Sequence, residues 1–207
     1  KAGGKMDKSK ITGILRNVKK EDVLKVGEIL IRYNIKDFEV TYNTKDSLEI
    51  VKMLKKEFPE ARIGMGTILT VEELKKAEES GAEFILTPSV NEEVLRYSGK
   101  NNIDLITGVF SPSEVALALR YGFNYLKLFP AIDLPDSYIN NLMGPFDKVE
   151  FMAVGGVEKD NITDFFKAGF KSVGMGSSLI KKSYLESKDW ENLEKHVKEI
   201  AEIIGAV

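Results

Sequence analysis

A lysine lies in the middle of an otherwise apolar segment, YLKLF at residues 125–129, which reads as a buried strand. Burying an ammonium group is costly unless it is paired or neutralised. A free lysine is neutral in only about one molecule in 2,500 at pH 7, so it becomes a good nucleophile only where burial or a nearby cation lowers its pKa. A neutral Lys127 amine could attack a ketone, lose water and form a Schiff base, whose protonated nitrogen is an electron sink for cleaving the bond two carbons away.

A glutamate lies in a second strand-like segment, DFEVTY at 37–42. Because side chains alternate along a strand, Lys127 shares a face with Tyr125 and Phe129, and Glu39 shares a face with Thr41. If the leucines beside Lys127 face the surrounding helices, Lys127 and Glu39 point into one interior, where Glu39 could shuttle protons. The alternative is a buried salt bridge with a purely structural role.

Eight short apolar segments alternate with amphipathic ones and must position these residues. The predicted strands span 11–16, 37–42, 62–67, 84–88, 104–109, 125–129, 151–156 and 172–176, and the helical patterns include 21–33, 46–58, 71–81, 113–122, 161–169 and about 189–204. Several of these helices end at a glycine, as a C-cap requires. Eight strand–helix units without a linker predict one parallel (β/α)8 TIM barrel over residues 6–207. A doubly wound sheet is the alternative, but no glycine-rich dinucleotide fingerprint follows the first strand.

In such a barrel the chemistry lies at the C-terminal ends of the strands. Arg16 ends the first predicted strand and Thr67 ends the third. Small residues lie at the ends of the seventh and eighth predicted strands, where their backbone amides are not covered by side chains: Gly155, Gly156, Gly176 and Ser177. These amides predict a phosphate-binding site.

Composition excludes several functions. The 207 residues include 30 Lys and Arg against 32 Asp and Glu, a balance that supports neither nucleic acid nor an anionic membrane as partner. No apolar run reaches membrane-spanning length, and a cytoplasmic enzyme is expected. Without Cys and with one His, a thiol nucleophile is excluded and a metal centre is not expected. His196 is expected at the surface of a helix, and residues 1–5 are interpreted as a tag remnant.

At this point the chain resembles a known family, the 2-keto-3-deoxy-6-phosphogluconate (KDPG) and 4-hydroxy-2-oxoglutarate (KHG) aldolases. The matching stretches are ILR at 14–16, FEVT at 38–41, IGMGT at 63–67, TP at 87–88, GVFSPSE at 108–114, LKLFPA at 126–131, GGV at 155–157 and VGMGSSL at 173–179. They run in order from the first strand to the eighth.

The resemblance implies a Schiff base between Lys127 and pyruvate, with Glu39 as general acid and base. It also implies that Thr67 holds the pyruvyl carboxylate and that Arg16 lies near a carboxylate or phosphate. Further substrate contacts are expected from matched stretches at Thr41, Pro88 and Phe129, and phosphate contacts at Gly155, Gly156, Gly176 and Ser177. A homotrimer that uses no metal or other cofactor is implied as well.

Two positions depart from the family pattern. Asn43 stands where many members have an arginine for the substrate carboxylate, and Val154 stands where others have threonine before the glycine pair. The expected function is reversible cleavage of KDPG, its galactonate epimer or 4-hydroxy-2-oxoglutarate to pyruvate and an aldehyde, as in the Entner–Doudoroff branch of carbohydrate metabolism. The alternatives are a phosphosugar isomerase or epimerase on the same barrel, and a catalytically silent protein that binds phosphorylated metabolites.

Overall fold

The structure is a computed structural model that describes residues 9–135, 137–146 and 148–205. The segment 1–5, interpreted as a tag remnant, lies outside these ranges. All the strands belong to one parallel sheet: β1 Ile11–Leu15, β2 Asp37–Thr41, β3 Arg62–Gly66, β4 Ile85–Leu86, β5 Leu105–Ile106, β6 Gly108–Val109, β7 Tyr125–Leu128, β8 Glu150–Val154 and β9 Ser172–Met175.

The sheet closes into a barrel through a broken fifth strand. The strand order is β5-β4-β3-β2-β1-β9-β8-β7-β6, and β5 and β6 are the two halves of the segment predicted as one strand at 104–109. Thr107 separates the halves, so that β5 pairs with β4 while β6 pairs with β7. Across the break, the Lys127 amide donates to the Thr107 carbonyl (2.9 Å) and the Gly108 amide donates to the Thr87 hydroxyl (3.1 Å). The (β/α)8 barrel predicted from the sequence is therefore confirmed, with one strand interrupted.

Helices follow the strands and cover the outside of the barrel. They are α1 Val23–Arg32, α2 Ser47–Glu57, α3 Val71–Glu79, α4 Glu92–Asn101, α5 Pro112–Arg120, α6 Ser137–Met143, α7 Ile162–Ala168, α8 Lys182–Ser187 and α9 Trp190–Ile203. Capping boxes begin two of them, with Thr70 and Glu73 at α3 and Ser111 and Glu114 at α5. Gly169 ends α7 with a φ of 113°, as its position in the pattern predicted.

The alternation of side chains divides the apolar residues into two cores. The outward-facing residues, such as Leu126 and Leu128, are buried against the helices in the main core. A smaller cluster fills the interior of the barrel: Ile14, Phe84, Leu86, Ile106, Tyr125, Met152 and Val154. This inner cluster fills much of the barrel interior with apolar side chains, and two of its members, Ile14 and Val154, line the cavity at the C-terminal end.

The single histidine does not lie where it was predicted. His196 is buried at 8 % exposure, and its Nε2 donates to the carbonyl oxygen of Ser178 at 2.7 Å. The expectation of a surface position is wrong, because α9 packs this face onto α8 and onto the loop that follows β9. A ring contact with Tyr184 of α8 completes the surroundings of the imidazole.

No helix in the described ranges is long and apolar enough to cross a lipid bilayer.

Candidate active site

An open cavity of about 660 Å³ lies at the C-terminal ends of the strands. The structure places around it nearly all the residues predicted from the sequence: Lys127, Glu39, Arg16, Thr67, Pro88, Phe129, Gly155, Gly156, Gly176 and Ser177. The volume is within the range of roughly 300–1,000 Å³ that small-molecule sites occupy. Thr41 is the exception, since it does not line the cavity.

Lys127 and Glu39 are the two buried charged residues that line this cavity. Lys127 is 5 % exposed and Glu39 is 1 % exposed, and each reaches the interior from the middle of its strand. The two side chains form no ion pair with each other or with any other described residue. Oε2 of Glu39 accepts no hydrogen bond from the described residues. The structural salt bridge considered as an alternative is therefore not present.

Burial changes the acid–base chemistry of both groups in the direction that catalysis requires. Desolvation lowers the pKa of Lys127, and the Arg16 guanidinium lowers it further, while the Glu39 carboxylate opposes both. Desolvation raises the pKa of Glu39, against the attraction of the Lys127 ammonium and the Arg16 guanidinium. Burial therefore shifts both groups toward their neutral forms, and an amine and a carboxyl group shifted in this way are suited to act as nucleophile and proton donor.

Phe129 forms an apolar wall beside the amine. Its ring centroid lies 4.9 Å from Nζ of Lys127, and its side chain is 37 % exposed at the mouth of the cavity. An aromatic wall at this distance keeps water away from one side of the amine.

Arg16 and Thr67 form a polar pair in the cavity lining. Nη2 of Arg16 donates to Oγ1 of Thr67 at 3.3 Å. Thr67 has a φ of 61°, which is rare for a β-branched residue and costs on the order of 1–3 kcal/mol. A guanidinium and a hydroxyl held together in this way can bind a carboxylate.

The glycine pair after β8 has a conformation that other residues would strain. Gly155 and Gly156 have φ values of 94° and 75°. A Cβ atom at Gly156 would stand 2.3 Å from the side chain of Ile132, whose amide donates to the Gly155 carbonyl at 3.1 Å. The backbone can therefore approach a bound anion without side chains intervening.

Thr41 does not line the cavity, and its contact with the substrate stays a prediction. It is fully buried, and its hydroxyl bonds to that of Thr44 at 2.7 Å, which in turn accepts from the Asn17 amide at 3.0 Å. The pair links the loops after β1 and β2. Asn43, at the position of the family's arginine, is exposed and lies outside the cavity lining, whereas Val154 lines it.

The sequence interpretation missed one cation in the cavity wall. Lys182 lies in the lining together with Gly155, Gly156 and Ser177, and its side chain is 83 % exposed. It is the first residue of α8, a helix absent from the segments predicted above. Its position just after GSSL, the loop predicted to bind phosphate, could have identified it. Glu158 adds one anion to the same wall.

A metal centre has no obvious ligands here. Within residues 9–135, 137–146 and 148–205, no group of three or more His, Asp or Glu side chains is arranged to hold an ion.

The fold and the cavity together define a (β/α)8 barrel with a buried, deprotonation-prone lysine beside a carboxyl group, the arrangement of an imine-forming lyase. A family model described as "KDPG and KHG aldolase" matches residues 3–196. The chain belongs to this family.

Individual relatives agree with that membership. The chain is 30 % identical over 195 residues to the 2-dehydro-3-deoxy-phosphogluconate aldolase of Pseudomonas aeruginosa, covering 94 % of this chain and 89 % of that protein. It is 31 % identical over 187 residues to the KHG/KDPG aldolase of Escherichia coli K12, covering 89 % and 87 %. Among solved structures, KDPG aldolase from Legionella pneumophila, with pyruvate captured as a covalent carbinolamine, superposes with a TM-score of 0.86 at 28 % identity, covering 93 % and 94 % of the two chains.

Proposed function

We propose that this protein is a class I aldolase that reversibly cleaves KDPG, or a close 2-keto-4-hydroxy acid, to pyruvate and an aldehyde. The observation that carries the proposal is the pair of buried, unbonded catalytic groups, Lys127 and Glu39, in one cavity. The covalent pyruvate adduct of the Legionella relative supports the same chemistry.

The reaction begins when the neutral Lys127 amine adds to the C2 ketone. The carbinolamine takes a proton from Glu39 and loses water, which leaves a protonated imine and a Glu39 carboxylate. The carboxylate then removes the proton of the C4 hydroxyl, the C3–C4 bond breaks, and its electron pair moves to the imine nitrogen. The aldehyde leaves, the enamine is protonated at C3, and water hydrolyses the pyruvyl imine to return Lys127.

The remaining residues bind the two ends of the substrate. We assign the pyruvyl carboxylate to Arg16 and Thr67, since they present a cation and a hydroxyl on one side of Lys127. We assign a 6-phosphate to the backbone of Gly155, Gly156, Gly176 and Ser177. Pro88 and Phe129 would pack against the carbon chain. The mechanism requires no cofactor.

We also propose a homotrimer in the cytoplasm. Large apolar side chains are exposed on loops at the C-terminal end of the barrel, with Phe110 at 40 % and Ile132 at 51 %, and a second copy would bury them. A charged phosphorylated substrate does not cross membranes unaided, which favours the compartment where it is made. Sedimentation equilibrium at several concentrations tests the trimer, because a monomer of 23.2 kDa is readily resolved from it.

A borohydride trap tests the central step. The protein is incubated with pyruvate, reduced, digested and examined by mass spectrometry, with Lys127→Ala alongside. One pyruvyl adduct, on Lys127, is the expected result. A folded protein that forms no adduct in excess pyruvate would instead be an isomerase or a binding protein on the same barrel.

A further inference from the structure

Beyond Arg62 at its N-terminal end, the inward face of β3 carries no side chain. Ile63 and Met65 point outward and are fully buried among the helices, so the residues between and after them, Gly64 and Gly66, occupy the inward positions. The space that two side chains would take is filled from neighbouring strands. A Cβ atom at Gly64 would stand 2.4 Å from the ring of Phe84, and one at Gly66 would stand 1.6 Å from Oε1 of Glu39.

The second of these contacts involves the proposed general acid. The same added atom would lie 2.3 Å from Cδ and 2.7 Å from Cγ of Glu39, so the whole carboxyl group lies across the backbone of Gly66. Glu39 pairs with Gly64 in the strand register, and the side chain leans one inward position further along β3. Since Oε2 accepts no hydrogen bond from the described residues, the shape of this space holds the carboxyl group.

We propose that Gly66 is a positioning residue for the acid–base chemistry: by having no side chain it lets the Glu39 carboxyl lie where it can exchange protons with the substrate. The inference rests on the proposed aldolase function. A hydrogen-bond donor in this space would also fix the carboxyl group, but it would stabilise the anion and compete with the substrate for its oxygens. Glycine offers room without a donor.

Two alanine substitutions on the same strand separate this role from ordinary packing. Gly66→Ala and Gly64→Ala each add one methyl group to the inward face of β3, but only the first meets Glu39. Both should lower the Tm. Gly66→Ala should lower kcat about 10²-fold, the typical cost of misplacing a reacting group by about 1 Å, and should alter the pH profile of kcat. Gly64→Ala should keep the wild-type profile and kcat within a few-fold.

A double-mutant cycle adds a readout that a structural role would not move. Glu39→Asp shortens the side chain by one methylene, so its carboxylate no longer lies against the methyl group added by Gly66→Ala. In the wild-type background it should slow turnover, whereas in Gly66→Ala it should cost much less or restore activity. Equal losses of kcat in the two alanine variants, or additive effects in the cycle, would overturn the role of Gly66.

Two further measurements keep the outcomes distinct. If Gly66→Ala is insoluble, the double variant Gly66→Ala with Glu39→Ala should still fold, because the side chain that clashes with the added methyl group is gone. If the double variant also fails to fold, the clash lies elsewhere and the proposal is refuted. Pyruvate trapping on Lys127 in the wild-type protein tests the aldolase function separately. Trapping without coupling between positions 39 and 66 would reject only the present inference.

Discussion

Two carboxylates two residues apart on β2 have opposite surroundings. Asp37 lies at the N-terminal end of the barrel, where Arg62 reaches it with Nε and Nη2, each at 3.2 Å from a carboxylate oxygen. The same guanidinium contacts Asp104 at 3.2 Å and lies 4.8 Å from the ring centroid of Phe84. Glu39, in the middle of the strand and facing the cavity at the C-terminal end, has no such partner among the described residues.

Burial raises the pKa of both carboxyl groups, but the groups that oppose this effect differ. At Asp37 the opposing group is a bonded guanidinium. At Glu39 it is the attraction of Lys127 and Arg16 without a bond. The charges at one end are bonded to each other within the barrel, while those at the other end remain available to a substrate. This division is typical of TIM barrels, whose active sites lie at the C-terminal face.

The largest expected effect is catalytic and confined to the C-terminal end. Glu39→Gln keeps the size of the side chain but removes its ability to exchange a proton, so kcat should fall by about 10²–10⁴-fold. Asp37→Asn should leave kcat within a few-fold and instead lower the free energy of unfolding by about 1–3 kcal/mol, since Arg62 loses its anion. Steady-state kinetics and urea unfolding measure the two quantities. Comparable losses of kcat would abolish the distinction between the ends.

The next effect is on stability and confined to the N-terminal end. Arg62→Met leaves Asp37 buried without its cation, which should cost about 3 kcal/mol in the free energy of unfolding at neutral pH. The pKa of Asp37, already above its unfolded value, should rise further. A raised folded pKa destabilises the protein above the unfolded pKa, so the loss should shrink as the pH falls and Asp37 is protonated.

A double substitution provides the control for this prediction. In Arg62→Met with Asp37→Asn the buried anion is absent, so much of the lost stability should return. If the double variant is as unstable as Arg62→Met alone, the loss comes from packing over Phe84 and not from an unpaired charge.

Much of the difference between the two ends of the barrel could be predicted from the sequence, because it depends on strand periodicity. The alternation in YLKLF and DFEVTY placed Lys127 and Glu39 in one interior, and the structure puts both in one cavity. Alternation defines a face but not the contacts that a side chain makes there, and Thr41, which was expected to contact the substrate, bonds to Thr44 outside the cavity lining.

Other features depend on contacts that no local pattern contains. The burial of His196 results from α9 packing onto the loop after β9. At Thr107 the chain changes from pairing with β4 to pairing with β7, and no local pattern marks this interruption. The sequence match at IGMGT did not explain why a glycine is needed at position 66. The reason is the Glu39 side chain that lies over Gly66, and only the structure shows that contact.

A smaller effect concerns the charge at the far end of the cavity. Lys182→Gln removes the cation beside the glycine loops, and the KM for KDPG should rise about 3–10-fold. Because this charge is exposed, added salt should weaken the effect. The neighbouring Lys181→Gln is the matched control, since Lys181 is exposed but lies outside the cavity lining. Unphosphorylated 2-keto-3-deoxygluconate should not distinguish the variants. Equal changes for both substrates would show that Lys182 does not bind the phosphate.

The smallest effects are two shifts of opposite sign in the pH dependence of imine formation. The neutral Lys127 amine is required, so adduct formation with saturating pyruvate increases as the pH rises through the pKa of Lys127. The Glu39 carboxylate raises this pKa and the Arg16 guanidinium lowers it. Glu39→Gln should therefore move the midpoint to lower pH, and Arg16→Met should move it to higher pH.

The direction of the shift is informative even where the rate is low. Glu39→Gln also slows the loss of water from the carbinolamine at every pH, but a uniform slowing changes the height of the profile and not its midpoint. The borohydride-trapped fraction, measured against pH for the three proteins, separates the two quantities. A midpoint that moves in neither variant would mean that burial alone controls Lys127, and the charges at the C-terminal end would then act on the substrate only and not on each other.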